Sequence, residues 1–347
     1  MPDLLQISLG TTRGLRISDA WFAKLAEQAG VTVETVAVRI GLTDRLRRAY
    51  PVNDLVEAVA ARRATASALT RLHPRAVVFS TTTAALLSPE LGCPYAVRLD
   101  APAAMNRPGA RNAVLHALER RSLDGATLVL PTGRAAKAAL PEGCAPVVIV
   151  PPPVVVPDAA VRAGDDPVAV AYTPDPKAKG LDILCRAWAL ADRPTGARLE
   201  VFGIERERAM RHLRRTGVSE PPGVHWHGLA PANRFHASLG RCRMFVTSAR
   251  WEDFGMAQLE ALALGALLVC IATDGPFEAG EIAQELRPGL VAGDQSPDAL
   301  SESISCAFAL GEQELKEYRA EASARLDAYR PGAVARTIGE RVLPALL

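Results

Sequence analysis

Two glutamates, Glu252 and Glu260, stand eight positions apart, with Phe254-Gly255-Met256 between them and a small, apolar run from Ala257 to Gly265 around the second. Met256, Leu259, Leu262, Ala263 and Leu264 make a helix over 255–264 apolar on nearly all sides, so Glu260 is expected in a low-dielectric setting. An unpaired buried carboxylate costs several kcal/mol. Either the hydroxyls of a bound ligand or a salt bridge to a neighbouring helix must satisfy it. Glu252, taken alone, reads as an exposed loop carboxylate. Gly255 opens the helix, and the first amides of a helix are unpaired and favour an anion, so Phe254, Gly255 and Met256 can cradle a phosphate.

Other candidates are weaker. Leu9-Gly10-Thr11-Thr12-Arg13-Gly14 lies between a strand and a helix, where glycines let backbone approach a ligand. It lacks the third glycine and the acidic ribose partner of a dinucleotide fingerprint, and an ordinary turn stays open. His225 and His227 alternate in a strand, but two such residues without a third make no metal site. Ser248 has no Gly-x-Ser-x-Gly elbow, and no Walker Gly-Lys-Ser/Thr occurs.

Strand–helix alternation must position these groups. Strands are expected at 4–8, 33–38, 76–80, 95–99, 127–130 and 147–150, with helices at 18–29, 54–72, 83–91, 110–123 and 133–140. Ser18 and Asp54 are the expected N-caps of their helices. A proline-rich break over 150–167 reads as an interdomain connection. The alternation then restarts, with strands at 168–172, 198–202, 224–227, 244–247 and 267–271. Helices follow at 180–191, 205–216, 231–239, 255–264, 277–283, 297–310, 312–329 and 333–346. Buried strands alternating with helices predict an α/β protein of two Rossmann-like domains with parallel sheets facing a deep interdomain cleft. The expected boundaries are 1–155, 156–330 and a final helix, 331–347.

The 347 residues carry a net charge of +2, 49% hydrophobic and 22% charged residues, which suits two packed domains. No Lys/Arg run signals nucleic acid. No window approaches the roughly 18 apolar residues of a bilayer span, and no secretory signal is seen at Met1-Pro2-Asp3. The six cysteines, without metal or CxxC spacing, point to a reducing, cytoplasmic compartment. Oligomeric state is not encoded in any pattern found.

Glu252-x7-Glu260 with Phe254-Gly255 resembles the E-x7-E signature of retaining, nucleotide-sugar-dependent glycosyltransferases of the GT-B fold, glycosyltransferase family 4. The surroundings resemble the family too: Val246-Thr247-Ser248 before it, Ala263-Leu264-Gly265-Ala266-Leu267 after it, Gly275-Pro276-Phe277-Glu278 and Gly289-Leu290-Val291 further on, and Leu199–Gly203 and Val224–Gly228 upstream. The resemblance covers 168–310 well and the first half loosely.

That resemblance implies a hexosyltransferase whose N-terminal domain, residues 1–155, binds the acceptor and whose C-terminal domain, 156–330, binds the nucleotide sugar. The last helix would return to the N-terminal domain. Glu260 would accept hydrogen bonds from ribose hydroxyls, and Glu252 would hold a donor-sugar hydroxyl. Phe254, Gly255 and Met256 would face phosphate or sugar, with Gly10, Arg13 and Gly14 beside the donor phosphates. Lys179-Gly180 match the phosphate-neutralising Lys-Gly, but Pro174 stands where the family has Arg. Lys177 or Arg250 could supply that charge, and each alone reads as a solvated surface group. Asp100, in Val97-Arg98-Leu99-Asp100-Ala101-Pro102, stands where many members have a catalytic-side His. It could orient an acceptor hydroxyl, take its proton or bind a cationic acceptor; a plain turn Asp is the alternative. The Asn106-Arg107-Pro108-Gly109 loop would shape the acceptor pocket.

The catalytic set is therefore Glu252, Lys179 and Asp100. No metal or other cofactor is expected, and the Asp-x-Asp of metal-dependent transferases does not occur. The donor would be a UDP- or GDP-linked hexose, and the acceptor a small molecule, preferentially a secondary metabolite, or a glycan. The competing readings are a sugar-nucleotide epimerase or other GT-B enzyme, and a non-catalytic sugar- or nucleotide-binding protein.

Overall fold

The computed structural model describes residues 1–39, 52–157 and 166–347, apart from the Arg13 side chain. Residues 40–51 and 158–165, which include most of the proline-rich connection's second half, lie outside that description. The chain divides into two compact units: Met1–Pro153 with Tyr329–Leu347, and Val154–Ala328.

In the first unit the strands are β1 (Leu4–Ser8), β2 (Val33–Ala37), β3 (Ala76–Phe79), β4 (Tyr95–Leu99) and β5 (Leu128–Pro131). They form a parallel sheet in the order β2-β1-β3-β4-β5. The apolar strands β1, β3 and β5 are buried along their whole length, as a sheet covered on both faces requires. On one face Leu4, Val78, Ala96, Leu128 and Leu130 pack against Phe22 and Leu25 of helix Arg13–Gln28. Val334, Ile338, Val342, Leu343 and Leu346 complete that same core. Each fully buried aliphatic side chain of this kind contributes roughly 1.5–3 kcal/mol.

In the second unit the strands are β6 (Asp166–Tyr172), β7 (Arg198–Phe202), β8 (Val224–Gly228), β9 (Cys242–Thr247), β10 (Leu267–Ile271) and β11 (Val291–Ala292). Their order is β11-β10-β9-β6-β7-β8, again all parallel. Strand order reverses between β6 and β9. Loops leaving the carboxyl ends at such a reversal are where open α/β sheets place their ligands.

Several expectations need correction. The first helix begins at Arg13, capped by the Thr12 side chain, and Ser18 lies inside it. Ser18 is buried and accepts a hydrogen bond from Arg98 at 2.6 Å. Asp54 lies within helix Val52–Leu72 and pairs with Arg107 at 3.1 Å. Residues 147–150 form no regular strand: they lie beside β5 through an isolated Val129–Val147 bridge, with the Val148 and Val150 amides donating to the Val129 and Pro131 carbonyls at 3.0 Å and 2.9 Å. The helix expected over 83–91 stops at Ala85, short of Pro89 and Gly92, and helix Arg134–Ala138 is shorter than 133–140. Helix Glu278–Leu286 runs three residues further than expected. The last helix starts at Pro331, whose fixed φ suits a first turn, and carries a π turn over Ile338–Val342.

Candidate functional site

Two loops of the second unit, those following β6 and β9, meet beside the strand-order reversal. The β6 loop is fastened from within: the Asp175 side chain accepts from the amides of Lys177 and Ala178, both at 2.9 Å, in an Asx-type turn. The Asp175 carbonyl accepts from the Lys179 amide at 2.9 Å. Gly180 then adopts φ +60, and a Cβ there would stand 2.1 Å from the Ser248 carbonyl oxygen, so only glycine lets the two loops approach so closely. Ser248 Oγ donates within reach of the carbonyls of Lys179 and Gly180, each at 2.9 Å. Arg250 adds a brace, its amide donating to Ala178 and its guanidinium to the Lys177 carbonyl at 2.7 Å and to Asp182 at 2.7 Å and 3.0 Å.

That brace brings Lys179 to Glu252. Lys179 Nζ lies 2.7 Å from Glu252 Oε2, with both side chains largely buried. The same oxygen accepts from Gln258 Nε2 at 2.9 Å. Glu252 is fixed from behind as well, since a Cβ on Gly275 would stand 2.1 Å from its carbonyl oxygen. Gly255, at φ +87, lets the chain turn under Phe277 and opens helix Met256–Ala263. Phe254 is buried, and its carbonyl accepts from the Ala279 amide at 3.2 Å. The sheet reversal, the ammonium and the first turn of helix Met256–Ala263 therefore lie within one region.

Glu260 sits one turn further along that helix and is partly buried, with 21% of its side chain exposed. Its Oε2 lies 3.2 Å from His236 Nε2, on helix Ala232–Leu239. Of the two partners the sequence left open for it, the structure supplies the neighbouring-helix pair, while leaving the carboxylate accessible to a ligand as well. Gln258 and His236 were not singled out from sequence. Gln258 carries a faint signal, an amide inside an otherwise apolar helix. His236, 24 residues from its partner, carries none.

Arg250 does not stand free for an anion: Asp182 takes its charge. Burial pushes the Asp182 carboxyl upward, but hydrogen bonds and charge from Arg250, with a hydrogen bond from His212, outweigh it and hold the pKa below the ordinary value. Lys177 is exposed. Beside Pro174, Arg208 Nη1 donates to the Pro174 carbonyl at 3.0 Å. His227 stacks on Phe202 at 4.4 Å and meets Arg234 at 3.0 Å, and burial lowers its pKa. Among the described residues no cluster of three or more His, Cys, Asp or Glu is placed to hold a metal.

The other sequence candidates belong to the first unit. Gly10 has φ +55, and its carbonyl accepts from Arg16 at 2.7 Å. Gly14 lies within the first turn of helix Arg13–Gln28 with ordinary φ, so no backbone requirement explains it. The Arg13 side chain lies outside the described residues. Asp100 directly follows β4, next to a buried network in which Arg98 meets Asp19 at 2.9 Å. Burial lowers the Arg98 pKa, and the charges of Asp19 and Asp100 oppose that shift.

Residues 167–309 match the family described as Glycosyl transferases group 1. The chain is a glycosyltransferase. The match spans both loops of the site and the helix that carries Gln258 and Glu260. No curated protein matches the sequence significantly. Among solved structures, the glycosyltransferase resembles sucrose-phosphate synthase from Thermosynechococcus elongatus, with TM-score 0.75 and 16% identity over 98% of each chain. It also resembles Anabaena Alr3699/HepE, solved with UDP and glucose, with TM-score 0.68 and 15% identity over 99% of each chain. WaaG, a glycosyltransferase of lipopolysaccharide biosynthesis, gives TM-score 0.67 and 15% identity over 96% of this chain and 98% of its own. What these likenesses share with the glycosyltransferase is the fold, GT-B with two Rossmann-like domains. No described helix is long and apolar enough to cross a membrane.

Proposed function

We propose that the protein is a retaining glycosyltransferase of family 4 that moves a hexose from a UDP-sugar to a hydroxyl acceptor without a metal ion. The observation that carries this reading is the Lys179–Glu252 pair at 2.7 Å, set beside the start of helix Met256–Ala263 within the matched segment. A cation and the amides of a helix's first turn suit a diphosphate, and the carboxylates of Glu252 and Glu260 suit the hydroxyls of sugar and ribose. UDP is favoured over GDP because similar folds have been solved with UDP and with UDP-glucose.

In this reading the C-terminal unit holds the donor. Glu260 accepts from ribose hydroxyls, Glu252 from a sugar hydroxyl, and Lys179 with the amides after Phe254 faces the diphosphate. By the family resemblance Gly10, Arg13 and Gly14 serve the donor phosphates, and the N-terminal unit binds the acceptor with Asp100. The bond between the anomeric carbon and the diphosphate oxygen breaks, and the acceptor oxygen bonds to that carbon from the same face. The acceptor proton passes to the departing phosphate oxygen. Charge grows on the diphosphate as the bond breaks, so Lys179 acts most strongly in the transition state. A small secondary metabolite is the proposed acceptor. The six unpaired cysteines support a reducing, cytoplasmic setting.

The test is Lys179→Ala, assayed by UDP release on mixing UDP-glucose with candidate acceptors. Turnover should fall far more than donor affinity; equal kcat in variant and wild type would refute the role. A thermal-shift screen of UDP-, GDP- and dTDP-sugars checks the choice of base.

A further inference from the structure

Gln258 is a buried primary amide, 5% exposed, in a helix whose neighbouring positions Leu259 and Ala261 are fully buried. Burying an amide is costly unless it is hydrogen-bonded. Leu or Ala would suit the packing at no such cost. The amide instead donates to Glu252 Oε2 at 2.9 Å, the oxygen that Lys179 also holds at 2.7 Å. Two donors converge on one carboxylate oxygen, and neither engages Oε1.

We propose that Gln258 is a positioning residue that keeps Glu252 aimed at the donor sugar while Lys179 changes partner from Glu252 to the diphosphate. The inference rests on the donor reading above and deepens it. A lysine ammonium is a mobile point charge on a four-carbon stem, and an arriving diphosphate competes for it directly. Once Lys179 moves, Glu252 loses one of its two fixed donors. The Gln258 amide is neutral and locked by packing in the first turn of helix Met256–Ala263, so a phosphate does not draw it away. It leaves Glu252 with one oriented hydrogen bond and with Oε1 directed at a hydroxyl. A charge-assisted hydrogen bond of this type is among the stronger ones in a protein.

The test compares Gln258→Leu and Gln258→Met, uncharged side chains of roughly glutamine's size that lack the N–H donors. UDP affinity is measured by calorimetry, and kcat and KM with UDP-glucose. The inference predicts UDP affinity within about twofold of wild type for both variants and a fall of about 10- to 100-fold in kcat/KM, carried mainly by kcat. Wild-type turnover in both variants would overturn it. So would an equal weakening of UDP and UDP-glucose, which marks a general packing defect. If wild-type protein binds no UDP, GDP or dTDP, the donor reading fails first and the inference falls with it; binding by wild type with unaffected variants sinks Gln258 alone.

Discussion

Gly180→Ala tests whether the meeting of the two loops makes the site. Gly180 has φ +60, and for a non-glycine residue that left-handed conformation costs roughly 1–2 kcal/mol. The added methyl would also stand 2.1 Å from the Ser248 carbonyl oxygen and 3.3 Å from Ser248 Oγ, both part of the facing loop. Backbone cannot swing aside as a side-chain tip does, so the loops must part by about 1 Å, and overpacking of this kind costs roughly 1–3 kcal/mol. The parting strains the two 2.9 Å contacts from Ser248 Oγ and draws Lys179 from Glu252. The expected loss of stability is about 2–5 kcal/mol, read as a lowered urea midpoint. Turnover at a temperature where the variant stays folded should fall on the order of 10²-fold, the penalty for displacing a positioned group by about 1 Å. A variant with stability within about 0.5 kcal/mol of wild type and turnover within about twofold would refute the reasoning.

Arg250→Ala removes the brace on the same loop and should destabilise the protein at neutral pH. Because Asp182 is held below its ordinary value, the stability linked to its ionised form is present above the unfolded pKa of 3.8 and is lost as pH falls through the lower folded pKa. The difference in melting temperature between Arg250→Ala and wild type should therefore be full above about pH 5 and shrink below pH 3.8; a difference independent of pH would contradict the assignment. Asp100→Asn should change acceptor KM or kcat while donor affinity holds, and unaltered acceptor kinetics would remove Asp100 from the reaction.

The second unit was legible because its elements are local. Apolar strands such as Leu267–Ile271 and the glycine-opened helix after Phe254 carry their patterns within a few residues. Boundaries failed where tertiary partners outweigh local preference. Ser18 and Asp54 look like caps but serve Arg98 and Arg107, residues 80 and 53 positions away. Arg250 reads as a spare cation until Asp182 is seen beside it. Gln258 and His236 escaped because their partners are fixed by the packing of helices on the sheet, which no spacing rule records. Asp100 and the glycine loop belong to the first unit, whose sequence matches the family pattern only loosely.

The central claim is that the second unit binds a nucleoside diphosphate sugar through the paired glutamates. Calorimetric titration of UDP into wild type and into Glu260→Ala tests it most directly. The account predicts saturable binding to wild type and about 10- to 100-fold weaker binding to the variant, as expected for losing a charged acceptor of ribose hydroxyls. Equal affinity in the two proteins would contradict it.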